Sequence, residues 1–257
     1  MMFQYLSDVH LEVRPGFRLT AADVRAPFLV LAGDVGGTST PGDTKEYVAF
    51  LQSCARLFST TFLVAGNHEG HGHRSWDAAM AALRDVVRQA GAQGNVALLD
   101  GDTYDVPNSD VRIAGATLWS RIAAKEEARV RFCIKDFQMI GGFGIGVALA
   151  LHRKDLAWLR SVVAGAEAEC KRLVVVTHHA PSSEGTSHPR HEGSRMASAF
   201  ATELDAMLVP PVCAWVHGHT HFSHKTLKPS GTLLLSNQRG YEEDDGAFDA
   251  HAAFDVS

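Results

Sequence analysis

The sequence predicts an α/β protein, on three observations. Short apolar runs of strand length end repeatedly in polar turns that contain Gly, His, Asp or Asn. Segments with apolar residues three and four apart fill the intervals. The two kinds alternate along the chain, the pattern of a sheet whose strands are joined through helices.

In chain order, residues 3–6 read as a strand running into Ser7-Asp8-Val9-His10, and residues 28–32 as one running into Gly33-Asp34. Asp43 and Glu46 look like the capping pair of a first helix, with Val48, Leu51, Ala55 and Phe58 on one face. Residues 61–65 form a third strand before Gly66-Asn67-His68-Glu69. Ser75 is expected to cap a second helix carrying Trp76, Met80, Leu83 and Val87. Strands follow at 95–99 and 111–119, separated by the turn residues Pro107, Asn108 and Ser109. The Gly-rich stretch 141–146 lacks dinucleotide or P-loop spacing and reads as a flexible connector. A third helix is expected from about Arg153, with Leu156, Leu159 and Val163 inward. Residues 173–176 lead into Thr177-His178-His179, and 213–216 into His217-Gly218-His219-Thr220-His221. Between them Ser194 is expected to cap a fourth helix with Ala197, Phe200, Leu204 and Met207 on one stripe. Residues 232–235 form another strand, and the period of two from Phe248 to Val256 predicts a half-exposed edge strand. The acidic run 242–245 reads as a solvated turn. No internal repeat, linker or boundary interrupts the pattern, so residues 1–257 are expected to form a single domain.

With 46% hydrophobic and 21% charged residues the composition is that of a globular protein with ample core. A net charge of -5 argues against broad binding to nucleic-acid backbone, which needs a basic surface. It leaves room for one phosphate if metal ions supply local positive charge. Cys54, Cys133, Cys170 and Cys213 form no CxxC pair and read as buried free thiols of a reducing compartment. The N-terminus lacks a basic region and a long apolar run, and no stretch is long enough to span a membrane, so a cytoplasmic protein is expected.

The histidines carry the chemistry. Asp8 and His10 are two apart, and on an extended strand both would point the same way and reach one ion. His219 and His221 repeat that spacing, while Asp34, Asn67 and His178 each stand at a strand end. These side chains offer carboxylate, amide and imidazole donors and no thiolate, a set suited to Mn, Fe, Zn, Co or Ni. Seven donors exceed what a closed structural site needs. The surplus points to two divalent ions sharing a carboxylate, with positions left for water and substrate.

The ordered motifs Asp8-Val9-His10, Gly33-Asp34, Gly66-Asn67-His68-Glu69, Thr177-His178-His179-Ala180-Pro181 and Gly218-His219-Thr220-His221 resemble those of the calcineurin-like metallophosphoesterase superfamily. The resemblance implies a four-layer sandwich of two mixed sheets flanked by helices. It implies that Asp8, His10 and His221 bind one metal ion, that Asn67, His178 and His219 bind a second, and that Asp34 bridges them. It also implies His68 as proton donor or transition-state stabiliser, with attack by a metal-bridging hydroxide. The doublet leaves His178 and His179 as alternatives for one ligand. The family pattern favours His178, which makes His179 a supporting or substrate-facing residue.

Departures narrow the substrate. In the family's protein Ser/Thr phosphatase branch the Gly-Asp motif continues into an Asp that orients the histidine and an Arg that clamps phosphate. Here Gly37 and Thr38 stand in those places and Ala65 precedes Gly66. This turns the expectation away from phosphoproteins and towards a small phosphodiester or nucleotide-like substrate. The runs 6–12 and 236–241 are similar to an uncharacterised bacterial and phage branch. A phosphomonoesterase, a nuclease subunit and a non-catalytic metal-binding scaffold are the rival readings. Arg239 reads either as a phosphate contact or as a packing arginine, and Trp119 as a buried ring or a base-stacking one. His217 reads as a core or supporting residue, His71 and His73 as members of a solvated loop, and 182–194 as a surface loop or a lid.

Overall fold

The computed structural model of the chain describes residues 1–91, 94–242, 244 and 247–256. Strands β1 (Met2–Leu6), β2 (Phe28–Ala32), β3 (Thr60–Val64) and β4 (Val96–Leu98) lie parallel in that order. A second sheet is built from β5 (Asp102–Asp105), β6 (Val111–Ala116), β7 (Arg172–Thr177), β8 (Val212–His217), β9 (His224–Leu227) and β10 (Leu233–Ser236), in the order β5-β6-β7-β8-β10-β9. Its inner strands are parallel and its edges β5 and β9 antiparallel. The expected tail strand is β11 (Ala253–Asp255), which closes the first sheet antiparallel to β1.

The period of two sorts these strands into layers. Val30 and Ala32 of β2 face the second sheet and join Val174 and Val176 of β7 and Ala214 and Val216 of β8 in one core. Leu29 and Leu31 point the other way, against Phe50 and Leu51 of α1 (Pro41–Leu57) and Met80 and Leu83 of α2 (Trp76–Ala90). On the far side Leu173, Val175 and Trp215 pack on Leu159 and Ala166 of a long helix, Ile145–Ala168. The result is helix, sheet, sheet, helix: the expected four-layer α/β sandwich. Strands β1, β2, β3, β7 and β8 all run parallel within their sheets, so their polar turns gather at one end, where open α/β sheets bind ligands.

Several local expectations are corrected. The first helix is capped by Thr40, whose Oγ1 accepts from Asp43 N, while Glu46 pairs with Arg18 at 2.9 Å. The third expected helix starts at Ile145, so Gly144 caps it and Gly146 lies in its first turn rather than in a connector. Two helices were not foreseen, α3 (Glu127–Cys133) and α4 (Asp136–Met139); the long helix is therefore α5. The fourth expected helix does not form. Residues 197–199 and 205–207 make 3-10 turns, because the chain between them is tied to β7's exit: Ala180 N donates to Phe200 O, Thr202 N to Ala180 O and Leu204 N to Pro181 O. Strand β6 stops at Ala116, since Leu118 and Trp119 adopt left-handed backbone at φ 70° and 46°. Cys133 and Cys170 are exposed, against expectation, while Cys54 is buried. Of the acidic run, Glu243 and Asp245 lie outside the described residues. Among those described, no helix is long and apolar enough to cross a membrane.

Candidate metal centre

Three of the five turns leave their strands through left-handed backbone. Asp8, His10, Asp34, His219 and His221 have φ of 49°, 50°, 49°, 71° and 51°. Non-glycine residues seldom adopt this left-handed conformation, and it persists only where the surroundings dictate it. Here the backbone does so. Asp8 N donates to Gly33 O at 3.0 Å, His10 N to Asp34 O at 3.0 Å and Gly240 N to Asp8 O at 2.9 Å. Asp8 and His10 thus meet through a strapped loop, not through alternation on an extended strand. His219 and His221 do not point the same way either: they belong to different clusters.

The site residues converge as three overlapping groups: Asp8, His10 and His221; His10, Asp34 and His68; and Asp34, His178 and His219. Asp34 links the two ends, with Oδ2 at 3.8 Å from His10 Nε2 and 3.4 Å from His178 Nε2. Close approach demands glycine beside it. A Cβ on Gly66 would collide with Asp34 N and Oδ1, and one on Gly218 with Asp8 Oδ2.

The donor geometry fits two cations. His178 Nδ1 donates to Ala32 O at 2.9 Å, which leaves Nε2 as the lone pair of the neutral ring. That nitrogen faces Asn67 Oδ1 at 2.9 Å as well as Asp34. The Asn67 amide is oriented by its Nδ2, which donates to buried Asp136 Oδ1 at 2.8 Å. At the other end His10 Nδ1 donates to Glu12 Oε1 at 3.0 Å and His221 Nδ1 to Asp244 Oδ2 at 2.7 Å. Their Nε2 atoms face one another at 3.1 Å, with Asp8 Oδ1 at 3.5 Å from His221 Nε2. Lone pairs that converge in this way are satisfied by a cation or an added proton, and outward Nδ1 anchors are the usual partners of metal-binding imidazoles.

The electrostatics agree. Burial opposes the Asp34 charge, but the His178 and His68 imidazoles outweigh it and hold its carboxyl well below the usual range. Burial likewise opposes Asp8, and His221 and His178 bring it down to about 2. Burial lowers His178 and His221, yet Asp34 raises the first to about 10 and Asp8 the second to about 9. The carboxylates draw positive charge to those ring nitrogens, as proton or as metal ion. His219, pushed down to about 4 by burial and by His178, keeps its lone pair.

His68 stands beside this set. Its backbone N donates to Asp34 Oδ1 at 2.8 Å, its Nδ1 lies 3.0 Å from Glu12 Oε1, and its Nε2 lies 3.2 Å from the Tyr241 hydroxyl. Burial lowers it, but Asp34 and Glu12 raise it to about 9. It lines a cleft of about 800 Å3 with Tyr241, His71, Val13, Met139 and Lys135. His179 is buried, bonded to Ser120 through Nδ1 at 2.8 Å and stacked on His219 at 4.0 Å between ring centres. Arg239 is occupied elsewhere. Its Nη1 donates to Val9 O at 2.7 Å and Arg14 O at 2.9 Å, and its guanidinium lies 4.9 Å over the Phe17 ring, contacts of the kind the packing alternative expects. Trp119 is buried against Trp76 and Phe143. His217 is buried with Nε2 2.9 Å from His224 Nε2. His71, expected in a solvated loop, instead bonds Asp136 at 2.7 Å and stacks on His68 at 4.3 Å. In 182–194, Arg190 reaches Asp244 at 3.7 Å.

Sequence reasoning missed four supporting residues. Glu12 and Tyr241 lay in runs read for resemblance alone. Glu69 has its buried carboxylate bonded to Gly66 N at 2.8 Å, Asp34 N at 3.1 Å and Val35 N at 2.9 Å, which pins two of the turns together. Asp136 sits on a helix with no motif to mark it.

Comparison with known proteins accords with this site. An uncharacterized protein of Acanthamoeba polyphaga mimivirus is 26% identical over 99% of this chain and 96% of its own length. A phosphopantetheinyl hydrolase from Mycobacterium tuberculosis superposes with a TM-score of 0.69, at 15% identity over 96% of this chain and 94% of its own. A dimetal phosphatase from Danio rerio does so with a TM-score of 0.51, at 14% identity over 92% of this chain and 87% of its own. At these identities the structural likeness speaks for the fold. Residues 5–223 match the calcineurin-like phosphoesterase family, which spans all five turns and most of both sheets. With its His/Asp clusters suited to a dimetal centre, the chain belongs to the calcineurin-like phosphoesterases, metal-dependent hydrolases of phosphoester bonds.

Proposed function

We propose that the chain hydrolyses a small phosphodiester or nucleotide-like phosphoester, with Asp8, His10 and His221 holding one divalent ion, Asn67, His178 and His219 a second, and Asp34 shared by both. The observation that carries this reading is the placement of Asp34 Oδ2 between the two ends, 3.8 Å from His10 Nε2 and 3.4 Å from His178 Nε2. When bound, two such ions neutralise phosphoryl oxygens and lower the pKa of a water that attacks phosphorus. Mn, Fe, Zn, Co and Ni all suit the donor set.

The chain's own residues do the rest. As the water oxygen adds to phosphorus, the bond to the leaving oxygen breaks and that oxygen needs a proton. His68 Nε2, at the cleft wall and backed by Glu12, is placed to give it. A diester is favoured by charge. Among the described residues the Lys and Arg side chains lining the cleft beside His68 and His71 are Lys135 and Arg14, and Arg14 Nη1 is bonded to the carbonyls of Arg239 and Gly240. A monoester dianion would lack the arginine clamp that its second charge calls for. The same reading takes residues 1–257 as one catalytic domain, supported by the core the two sheets share, in a cytoplasmic protein whose four cysteines are free.

A hydrolysis screen with each metal tests it, comparing aryl monoesters, aryl diesters, cyclic nucleotides, dinucleotides and a phosphopantetheinyl ester. Diesters are expected to turn over fastest. A monoester preference would displace the substrate class, and inactivity on every phosphoester with metals bound would overturn the function. Asp34→Asn and His68→Ala are expected to remove turnover, and full activity in both would sink the mechanism.

A further inference from the structure

Resting on that reading of the site, we infer that Glu12 is the positioning residue that aims His68 at the leaving group, in place of the carboxylate the chain lacks at position 37. One oxygen, Glu12 Oε1, lies 3.0 Å from His68 Nδ1 and 3.0 Å from His10 Nδ1. Both rings therefore present Nδ1–H to the same carboxylate and turn Nε2 inward. For His68 this fixes which nitrogen reaches the cleft and which way the ring plane faces. With Nδ1–H held by Glu12, Nε2 has a proton to give when the ring is an imidazolium, whose charge the same carboxylate balances.

The two positions are neighbours in space. In the protein Ser/Thr phosphatase branch that the motifs resemble, the orienting Asp stands at the place of Gly37. In this chain a Cβ on Gly37 would come within 3.3 Å of Glu12 Cβ. Asp43 Cβ lies equally near, so position 37 is tightly bounded, and Glu12 reaches His68 from the β1 turn instead of the β2 turn. Asp8, His10 and Glu12 then form one unit: two proposed ligands and, two residues on, the support of the proton donor. Among the described residues Glu12 Oε2 is buried without a hydrogen-bond partner, and the carboxylate is held by its bonds to the two histidines. Tyr241 completes the enclosure, its hydroxyl 3.2 Å from His68 Nε2 on the cleft side.

The test uses the whole, metal-loaded chain and a series of aryl and alkyl phosphodiesters differing in leaving-group pKa. Loss of proton donation hurts poor leaving groups most. Glu12→Ala is expected to lower kcat roughly 10²-fold on alkyl esters and only roughly tenfold on nitrophenyl esters, with KM little changed. Glu12 also anchors His10, so the assays are run at saturating metal, where metal content measured on the same samples is expected to stay at the wild-type level. Glu12→Gln, which keeps the acceptor but not the charge, is expected to fall between. At saturating metal, any residual turnover of His68→Ala is expected to be unchanged by adding Glu12→Ala. The double variant Glu12→Ala with Gly37→Asp moves the carboxylate to the other turn and is expected to recover part of the alkyl-ester rate. A penalty equal across leaving groups, or one that follows metal loss, would overturn the inference and assign Glu12 to His10 alone. Should Glu12→Ala fail to fold, the Gln variant gives the same comparison across leaving groups. Wild-type inactivity on the series would instead refute the diesterase reading, so the two failures are told apart.

Discussion

Asp136→Ala tests how the second metal position is built. Asp136 is 3% exposed and Asn67 5%, and the Asp136 carboxylate takes two donors, Asn67 Nδ2 at 2.8 Å and His71 Nε2 at 2.7 Å. Truncation leaves the buried Asn67 amide without its acceptor, at about 1–3 kcal/mol. His71 is partly open to the cleft and can turn to water, so it adds little. The larger effect is on function. The bond to Asp136 is what points Asn67 Oδ1, rather than Nδ2, at His178 Nε2. A free amide rotates between the two, and outer partners of metal ligands are worth roughly 10–100-fold in affinity. Titrating metal into stripped protein while following hydrolysis and bound metal should therefore show a weakened second site and an intact first one. Asp136→Asn keeps an acceptor oxygen and is expected to lose under about tenfold. Unchanged metal affinity in the Ala variant would refute the argument. Equal losses in both would show that the charge of Asp136, and not its bond, matters.

Gly66→Ala places a Cβ against Asp34 N and Oδ1; we expect about 1–3 kcal/mol of destabilisation by chemical melts and a roughly 10²-fold loss of kcat from the displaced carboxylate. Burial pushes the Asp155 carboxyl up to about 6 from 3.8, only partly offset by its bond from Leu118 N. The folded state thus holds the proton more tightly than the unfolded one, and stability falls as pH rises from about 4 to about 6. Asp155→Asn should accordingly raise the melting temperature well above that window and leave it unchanged below, and an equal effect at both ends would refute the assignment. His221→Asn puts a residue that tolerates left-handed backbone at φ 51°; the metal-free protein is expected to melt no lower than wild type while the upshift on adding metal shrinks, and a large loss without metal would show that the imidazole is structural.

The layers were legible because they rest on a local signal. A strand buried on both faces needs a near-continuous apolar run, and β2, β3, β7 and β8 have one of three residues or more, whichever sheet they join. Edge strands β5 and β9 are largely exposed, so their sequences carry polar residues and no period that marks a strand. The helix expected after Ser194 had the right spacing and lost to a tertiary demand, the bridge between Ala180 and Ala201 that sets Phe200 on the His219 ring at 5.0 Å. Within the site the residue types were readable, but the reason for their convergence was not. Two-residue spacing suggested a shared strand face for Asp8 and His10, whereas left-handed turns do the work. Glu12 offered a visible sign, a carboxylate two residues after His10. Asp136 offered none, because its role depends only on where α4 brings it.

The left-handed turns bear on how such a site stays in place. Each non-glycine residue held at positive φ costs of the order of 1–2 kcal/mol, so the five at the centre together approach the whole net stability of a typical domain. The conformation is kept by bonds that cross between chain segments: the β1 turn to the β2 turn through Asp8, His10 and Leu11, and the same turn to residues 237–240 through Ser7 N, Arg239 N and Gly240 N. Glu69 adds the β3 turn by accepting from Gly66, Asp34 and Val35 at once. Asp8 and Asp34 are therefore gripped by backbone on both sides while their carboxylates point inward, themselves oriented by His219 N and His68 N, which is the arrangement a metal centre requires. Side chains that a flexible loop would let drift apart under carboxylate repulsion are held together before any ion arrives. The geometry is preorganised by strain in the backbone and not by packing of the ligands themselves, so substitutions in the straps, far from the phosphorus, are as threatening to turnover as loss of a ligand.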